Sequence, residues 1–236
     1  MIRLDKFLCD SGAGTRSQVK GLLKAGRVTV NGATETDGSR KLDPQTAEVT
    51  LDGKTLGGRQ RAVVMMNKPQ GYVTATEDRG PTVMDLLPEE MAHLDLKPVG
   101  RLDKATEGLL LFTNDGDVAS QLTHPSLEKK KIYQVTLDKP LTRADMERIA
   151  EGVTLEDGEV YADEIAYASE NKKEVGIEIH SGRNRIVRRI FEHLGYSVQK
   201  LDRVYYAGIT KKNLKRGAWR FLTREEVERL KSGRYE

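Results

Sequence analysis

The sequence predicts an α+β protein that consists of a small N-terminal domain and a larger second domain. The chain has 236 residues, which is enough to bury a core in each. The polar, Gly-rich stretch DGKTLGGRQR at residues 52–61 has the composition of a linker. After it, apolar strand-like runs alternate with helical patterns. We therefore expect domains at residues 1–58 and 59–236.

The N-terminal domain is predicted to contain a capped helix followed by short strands. Thr15 and Gln18 have the spacing of a capping box, and apolar residues then repeat at helical spacing until Gly26. A β-prone run at residues 27–30 leads into Asn31-Gly32, which is a strong signal for a tight turn. Residues 49–51 supply a further strand. This order indicates a helix packed on a small sheet.

The second domain is predicted to be a mixture of buried strands and capped helices. The apolar runs that indicate strands lie at residues 63–66, 109–112 and 132–137. The helical patterns lie at residues 117–122, 142–151, 184–194 and 223–231.

Composition argues against several classes of protein and site. With Cys9 as the single cysteine, no internal disulfide and no cysteine-rich zinc site can form. The four histidines have no metal-binding spacing, and residues 11–14 hold only a truncated GxG that we interpret as a turn. No window of eighteen apolar residues occurs. We expect a cytoplasmic protein without metal, nucleotide cofactor or membrane association.

Positive charge is concentrated in the first quarter of the chain. Residues 1–60 contain ten Lys or Arg against seven Asp or Glu, which leaves 29 of each for the remainder. Helical spacing aligns four of these cations into a basic stripe: Arg16, Lys20, Lys24 and Arg27. Such a stripe is either an ordinary solvated face or a surface for nucleic-acid phosphates.

A polar loop precedes the second apolar run in the string GRLDKATEGLLLFTNDG, residues 100–116. By residue type alone, Asp103 can be a turn residue that accepts a backbone amide hydrogen. The whole string, however, resembles the active-site motif of the RsuA and RluB group of pseudouridine synthases. Three further segments resemble the same group in order: Asn67-Lys68-Pro69-x-Gly71, Lys131-x-Tyr133-x-Val135, and GRNRIVRR at residues 182–189. The basic stripe and RVTVNG resemble an S4 RNA-binding domain over residues 2–52.

The resemblance implies a fold and a function. The fold is an S4-like RNA-binding domain followed by a catalytic domain with a mixed, mainly antiparallel sheet flanked by helices. The function is isomerisation of a uridine in ribosomal RNA to pseudouridine. The nearest likeness is to the small-subunit synthase of the group, which suggests 16S RNA, in partly assembled small subunits, as the partner. A large-subunit synthase and a non-catalytic assembly factor are the alternatives, and a monomer is the default expectation.

The same resemblance assigns roles to three residues. Asp103 is carried over as the catalytic aspartate, either adding to the sugar C1′ or assisting loss of the 2′ proton through a glycal-like intermediate. A lone carboxylate suffices because the departing uracil anion is delocalised over two carbonyls. Tyr133 is either a core tyrosine or a ring that stacks on uracil near its C5 proton. Arg188 is expected to pair with Asp103 and keep it ionised.

Further arginines are candidates for contact with the RNA backbone. Arg101 is expected to hold the extruded nucleotide, and Arg183, Arg185 and Arg189 are either phosphate contacts or solvated surface residues. The isomerisation needs no redox change, phosphate donor or metal, so the resemblance implies no cofactor. The target base must leave its stack, which favours structured or single-stranded RNA as substrate.

Overall fold

The structure is a computed structural model that describes residues 1–44, 46–57, 61–124 and 127–233. The chain divides into two compact units. The first comprises residues 1–61 with the short segments 93–95 and 114–116, and the second comprises the rest. The expected domain boundary between residues 58 and 59 lies outside the described residues. In the described part of the chain no helix is long and apolar enough to cross a bilayer.

The first unit packs two helices against short strands. Its elements are β1 (Ile2–Arg3), α1 (Leu4–Asp10), α2 (Arg16–Lys24), β2 (Val28–Val30), β3 (Ala33–Thr34), β4 (Lys41–Leu42), β5 (Val49–Leu51) and β6 (Lys54–Thr55). The capping box at Thr15 and Gln18 is confirmed, since Thr15 Oγ1 accepts from Gln18 N and Gln18 Oε1 accepts from Thr15 N. Part of the expected linker is instead β6, which pairs with β5.

The second unit contains the larger sheet. Its elements are β7 (Val63–Lys68), β8 (Lys97–Val99), β9 (Glu107–Thr113), α3 (Gly116–Thr123), β10 (Lys131–Leu137), α4 (Arg143–Glu151), β11 (Val153–Leu155), β12 (Gly158–Val160), β13 (Glu164–Tyr167), β14 (Glu174–Ile179), α5 (Ile186–His193), β15 (Val198–Tyr206), β16 (Ile209–Thr210), β17 (Trp219–Phe221) and α6 (Arg224–Ser232). Two 3₁₀ turns lie at Val83–Leu86 and Glu89–Leu94.

Within the described residues, nine strands form one sheet in the second unit. Seven follow the order β13-β14-β10-β15-β9-β7-β17, while β16 pairs with β15 and β8 with β9. The β9–β15 pair is parallel and the other described pairs are antiparallel. Side chains of α3 and α6 share a buried cluster with alternate residues of β7 and β9. The α+β class with a mixed, mainly antiparallel sheet flanked by helices is confirmed.

Helix α5 begins later than the pattern indicates. The expected helix starts at Asn184, whereas Arg185 has a left-handed backbone with φ of 48° and precedes the first helical residue, Ile186. A residue with a left-handed backbone cannot be part of a right-handed helix. Arg185 therefore forms the turn before α5. This turn changes which arginine approaches Asp103.

Gly108 permits the parallel pairing of β9 and β15. Its φ is +107°, and a Cβ built there would lie 2.3 Å from the carbonyl oxygen of Arg203 and 2.4 Å from Oδ1 of Asp202. Close approach of two backbones at a left-handed φ is the situation that requires glycine. Gly108 therefore brings β15 beside the loop that leads into β9.

We expect Gly108→Ala to lower the free energy of unfolding by about 3 kcal/mol, because backbone strain and steric overlap add. Denaturation followed by the fluorescence of Trp219, the single tryptophan, reports on the second unit. Gly176→Ala is the matched control, since Gly176 lies in β14 with no atom within 4 Å of an added Cβ. Equal stability of the two variants would contradict this account of the strand pair.

Candidate active site

The polar loop of residues 100–106 joins β8 to β9 at one wall of a large cavity. The cavity has a volume of about 1220 Å³ and lies within the second unit. Gly100 turns the chain at φ +69°, and Arg101 and Asp103 then line the cavity. The Asp103 side chain is 36% exposed. A carboxylate is thus accessible to a molecule that enters the cavity.

The buried ammonium of Lys68 holds the backbone of this loop. Lys68 has no exposed surface, and its Nζ donates to the carbonyl oxygens of Thr106 (2.8 Å), Asp103 (3.1 Å) and Pro69 (3.1 Å), with Lys104 O at 3.5 Å. Burial lowers the pKa of Lys68 to about 8, although the charges of Asp103 and Glu107 oppose the shift. A cation at the end of β7 therefore gathers the carbonyls of Asp103 and of the loop residues that follow it.

Two further residues, Gly71 and Thr74, fix the loop. Gly71 N donates to Lys104 O at 2.9 Å. Thr74 Oγ1 donates to Leu102 O at 2.6 Å and accepts from Leu102 N at 3.2 Å. Residues 102, 103, 104 and 106 are consequently all held by Lys68, the last residue of β7, and by the segment that follows it. This explains why the segment Asn67-Lys68-Pro69-x-Gly71 accompanies the Asp103 loop in one sequence.

Asn67 lies in a polar cluster that joins β7, β9 and β15 to the segment after β16. Asn67 Oδ1 accepts from Arg216 Nη1 at 2.6 Å, and its Nδ2 donates to Leu214 O at 2.7 Å. Arg216 also contacts Asp202 and Glu107, each at 2.8 Å, and Lys211 contacts Asp202 at 2.7 Å. The cluster anchors the strand that begins at Glu107, directly after the Asp103 loop.

The arginine next to Asp103 in the structure is Arg185, in place of the expected Arg188. Arg185 Nη1 lies 3.5 Å from Asp103 Oδ2. Arg188 is 7% exposed and donates instead to the carbonyls of Val198 (3.0 Å) and Ala105 (3.1 Å). Burial, followed by the charge of Arg185, lowers the pKa of Arg188, while the charge of Asp103 opposes the shift. The side chain of Arg188 thus contacts the backbone of the loop, not the Asp103 carboxylate.

The floor of the cavity carries an aromatic side chain and two cations. Tyr133 on β10 is 9% exposed and lies opposite Arg203 on β15, which is 3% exposed. Lys131, two residues before Tyr133, donates to the carbonyls of Lys129 (2.7 Å) and His180 (2.8 Å). Burial and then the charge of Arg203 lower the pKa of Lys131 to about 8. The floor is therefore positively charged.

Two of the expected phosphate contacts are engaged with a hairpin. Arg183 donates to Asp157 Oδ1 at 3.0 Å and to Glu159 O at 2.6 Å, and Arg189 donates to Asp157 Oδ1 at 2.6 Å. These contacts, with Arg189 first, lower the pKa of Asp157 to about 2. Arg183 and Arg189 thus hold the β11–β12 hairpin, whereas Arg101 and Arg185 retain more exposed side chains at the cavity.

The basic stripe is present on α2. Arg16, Lys20 and Lys24 are exposed on the helix, while Arg27 follows it and forms an ion pair with Asp52. Three of the four cations are therefore presented on one helix, and the fourth also stabilises the small sheet.

Lys68, Thr74, Lys131 and Arg203 have no role predicted from the sequence. A lysine directly after an apolar strand and before proline, as in VVMMNKP at residues 63–69, is a signal that could have found Lys68. His180, which accompanies Asp163 at 2.7 Å on the cavity wall, was also not assigned. Within the described chain, no three His, Cys, Asp or Glu side chains are grouped as metal ligands.

Comparisons with known proteins agree with the two-unit organisation. Residues 62–193 match the family described as RNA pseudouridylate synthase, and residues 2–47 match the S4 domain. An uncharacterised RNA pseudouridine synthase of Bacillus subtilis, YtzG, is 38% identical over 97% of this chain and 98% of its own length. The ribosomal large subunit pseudouridine synthase B of Vibrio cholerae is 36% identical over 97% of this chain and 74% of its own. A crystal structure of a pseudouridylate synthase superposes with a TM-score of 0.67 at 31% identity, covering 98% of this chain and 100% of that one.

Lys68 should make stability depend on pH. Its folded pKa of about 8 lies below the ordinary 10.5, so the unfolded chain binds more protons between these values. The cost of the buried charge is fully present below pH 8 and is relieved as pH rises, by up to about 3 kcal/mol. The unfolding free energy of the wild type should therefore rise relative to that of Lys68→Met between pH 8 and pH 10.

Denaturation followed by Trp219 fluorescence at several pH values measures this difference. Lys104→Met is the matched control, because Lys104 lies in the same loop but is exposed, and it should keep the wild-type slope. A difference between wild type and Lys68→Met that stays constant over this pH range would contradict the assignment.

Proposed function

The chain belongs to the RNA pseudouridylate synthase family, in its RsuA and RluB group, and from that membership we propose that its substrate is a uridine of ribosomal RNA. The protein is an isomerase that converts uridine in RNA to pseudouridine. The single observation that carries the site proposal is the accessible carboxylate of Asp103 on a loop held by the buried Lys68 ammonium.

Asp103 is the proposed reactive group. As a nucleophile its carboxylate adds to C1′, and as a base it takes the 2′ proton; in both routes the N1–C1′ bond breaks and its electron pair leaves with uracil. After the base turns, C5 bonds to C1′ as the bond from Asp103 to C1′ breaks in the first route, or as Asp103 returns the proton to C2′ in the second. The C5 proton is then lost and N1 gains a proton. Arg185, 3.5 Å from Oδ2, supports the ionised form that either route needs.

Tyr133 and Arg188 have different proposed roles. Tyr133 offers an aromatic ring at the cavity floor on which the flipped uracil can stack, with a hydroxyl available near the C5 proton. Arg188 acts as a positioning residue, because its Nη2 holds the carbonyl of Ala105 between Asp103 and Thr106. In this proposal Arg185, not Arg188, is the cationic partner of the Asp103 carboxylate.

The RNA is proposed to contact both units. Exposed Arg16, Lys20 and Lys24 on α2 supply sequence-independent phosphate contacts in the S4 domain. Arg101 and Arg185 supply contacts at the cavity, where the extruded nucleotide enters. Binding energy from these cations helps to offset the few kcal/mol that base extrusion costs.

The proposed target is 16S RNA of the small ribosomal subunit, in partly assembled subunits. The enzyme is proposed to act on it in the cytoplasm as a monomer. The resemblance of the complete motif set to the small-subunit synthase supports this choice. Large-subunit RNA is the second candidate, because a relative named for the large subunit is 36% identical over 97% of this chain.

Pseudouridine mapping tests both the reaction and the target. Purified protein is incubated with unmodified small-subunit and large-subunit RNA, as transcripts and as partly assembled subunits. We expect one modified uridine, and Asp103→Asn should slow its formation by about 10,000-fold, or about 5.5 kcal/mol, while RNA still binds. Asp78→Asn is the control, an exposed aspartate outside the cavity lining.

Modification of large-subunit RNA alone would replace the proposed target. RNA binding without modification of any of these substrates would favour an assembly factor instead.

The basic stripe should contribute a salt-dependent part of RNA affinity. We expect Lys20→Glu with Lys24→Glu to weaken binding and to reduce the slope of log Kd against log salt by about 2, since two phosphate contacts are lost. Fluorescence anisotropy at several salt concentrations measures both quantities. Lys41→Glu with Lys54→Glu carries the same charge change on the small strands of that domain and should leave the slope closer to wild type. Identical slopes for the two double variants would exclude the basic stripe as a site of phosphate contact.

A further inference from the structure

The Arg203 guanidinium is a buried cation that the steps above do not use. It is 3% exposed and lines the cavity. Its Nε donates to Leu109 O at 2.8 Å, and its guanidinium carbon lies 4.5 Å from the centroid of the Tyr206 ring. In the described chain, Nη2 has no hydrogen-bond partner and no acidic side chain forms a salt bridge with the group.

The sheet holds this cation rigidly beside the reaction site. Arg203 lies opposite Tyr133 on one neighbouring strand and opposite Gly108 on the other. Gly108 directly follows the Asp103 loop and Glu107, and it allows the close approach of the two backbones. Tyr206 is itself fixed, because its hydroxyl donates to Leu122 O at 2.8 Å. Arg203 thus has little freedom to turn toward solvent.

A buried donor without a partner destabilises the folded protein, and does so more strongly when it is charged. Such groups are rare in folded proteins and often mark a place that a ligand completes. Lys131 adds a second positive charge nearby. This part of the cavity floor is therefore suited to bind a hydrogen-bond acceptor that carries negative charge.

The reaction supplies such an acceptor. When the N1–C1′ bond breaks, its electron pair remains on uracil, and the charge is shared by N1 and the carbonyl oxygens O2 and O4. A guanidinium in a site of low dielectric stabilises an anion far more than it does in water. Phosphate is the less suitable ligand for this group, because Arg203 is buried next to the ring of Tyr206, whereas Arg101 and Arg185 lie more exposed.

Resting on the proposed function, we propose that Arg203 donates a hydrogen bond to a carbonyl oxygen of the flipped uracil and stabilises the uracil anion while it is detached from the sugar. This supplies what a general acid would supply to a poorer leaving group. The electron pair that uracil takes with it returns when C5 bonds to C1′, so the cation acts without gaining or losing a proton.

A double-mutant cycle, in which the Arg203 side chain and a carbonyl oxygen of the substrate are each changed, tests the proposal. The RNA found by pseudouridine mapping is prepared with uridine, 2-thiouridine or 4-thiouridine at the target, each with tritium at C5. Release of tritium under single-turnover conditions gives the rate, because the reaction replaces C5–H by C5–C1′. Sulfur accepts hydrogen bonds weakly and makes the base a more stable anion, so both effects reduce the need for Arg203.

We expect Arg203→Met to slow the reaction of uridine RNA by about 100-fold, with RNA affinity within about threefold of wild type. The loss should be at least about fivefold smaller with one of the two thiouridine RNAs. Arg143→Met, a change of the same type on the exposed face of α4, should leave all rates unchanged. Each rate ratio is measured on one protein preparation, so a reduced folded fraction cancels.

Equal losses with all three RNAs would overturn the role of Arg203 while leaving the proposed function intact. If Arg203→Met does not fold, Arg203→Lys, which keeps the charge but moves the donor, is judged by the same ratios. Failure of the mapping to find pseudouridine in any of the RNAs incubated with the wild type would overturn the proposed function itself.

Discussion

The architecture of the site depends on the burial of one ammonium group. Lys68 Nζ binds carbonyl oxygens of Pro69, Asp103 and Thr106 at 2.8–3.1 Å, so the loop that presents the Asp103 carboxylate closes around a cation. Burying this charge is unfavourable, as its lowered pKa records, and the carbonyl dipoles offset that cost only in the closed arrangement. The loop conformation and the charge state of Lys68 are therefore coupled.

The parallel pairing of β9 and β15 adds the second half of the site. Because Gly108 lets the two backbones approach, β15 places Arg203 next to the Asp103 loop and across from Tyr133. The cluster of Asn67, Arg216 and Asp202 ties the same strands together from the segment after β16. The cluster thus ties β7 and β9, which flank the loop, to β15, which forms part of the cavity floor.

Much of the fold follows from local signals, and much of the site does not. Capping residues Thr15, Thr142 and Thr223 were readable, and each precedes a helix that the structure contains. Short strands such as β8 and β16 were missed, because two or three residues have no detectable period. Their place in the sheet comes from pairing with strands distant in sequence.

The partners of Asp103 were harder to predict for a geometric reason. The left-handed backbone of Arg185 delays the start of α5, so Arg185 reaches Asp103 and Arg188 turns to backbone carbonyls. Arg203 gave no signal, because a buried guanidinium and a solvated one look alike in sequence. Motif resemblance located the loop, whereas the packing of strands decided which cations face it.

The central claim is that the Lys68 ammonium holds Asp103 in a reactive position, and the single-turnover rate of Lys68→Met at saturating RNA tests it most directly. Loss of the loop geometry should reduce pseudouridine formation by about 100-fold, since a displacement near 1 Å costs this much. RNA affinity should stay close to wild type, because Lys68 is buried. A variant that folds and reacts at the wild-type rate would contradict the account.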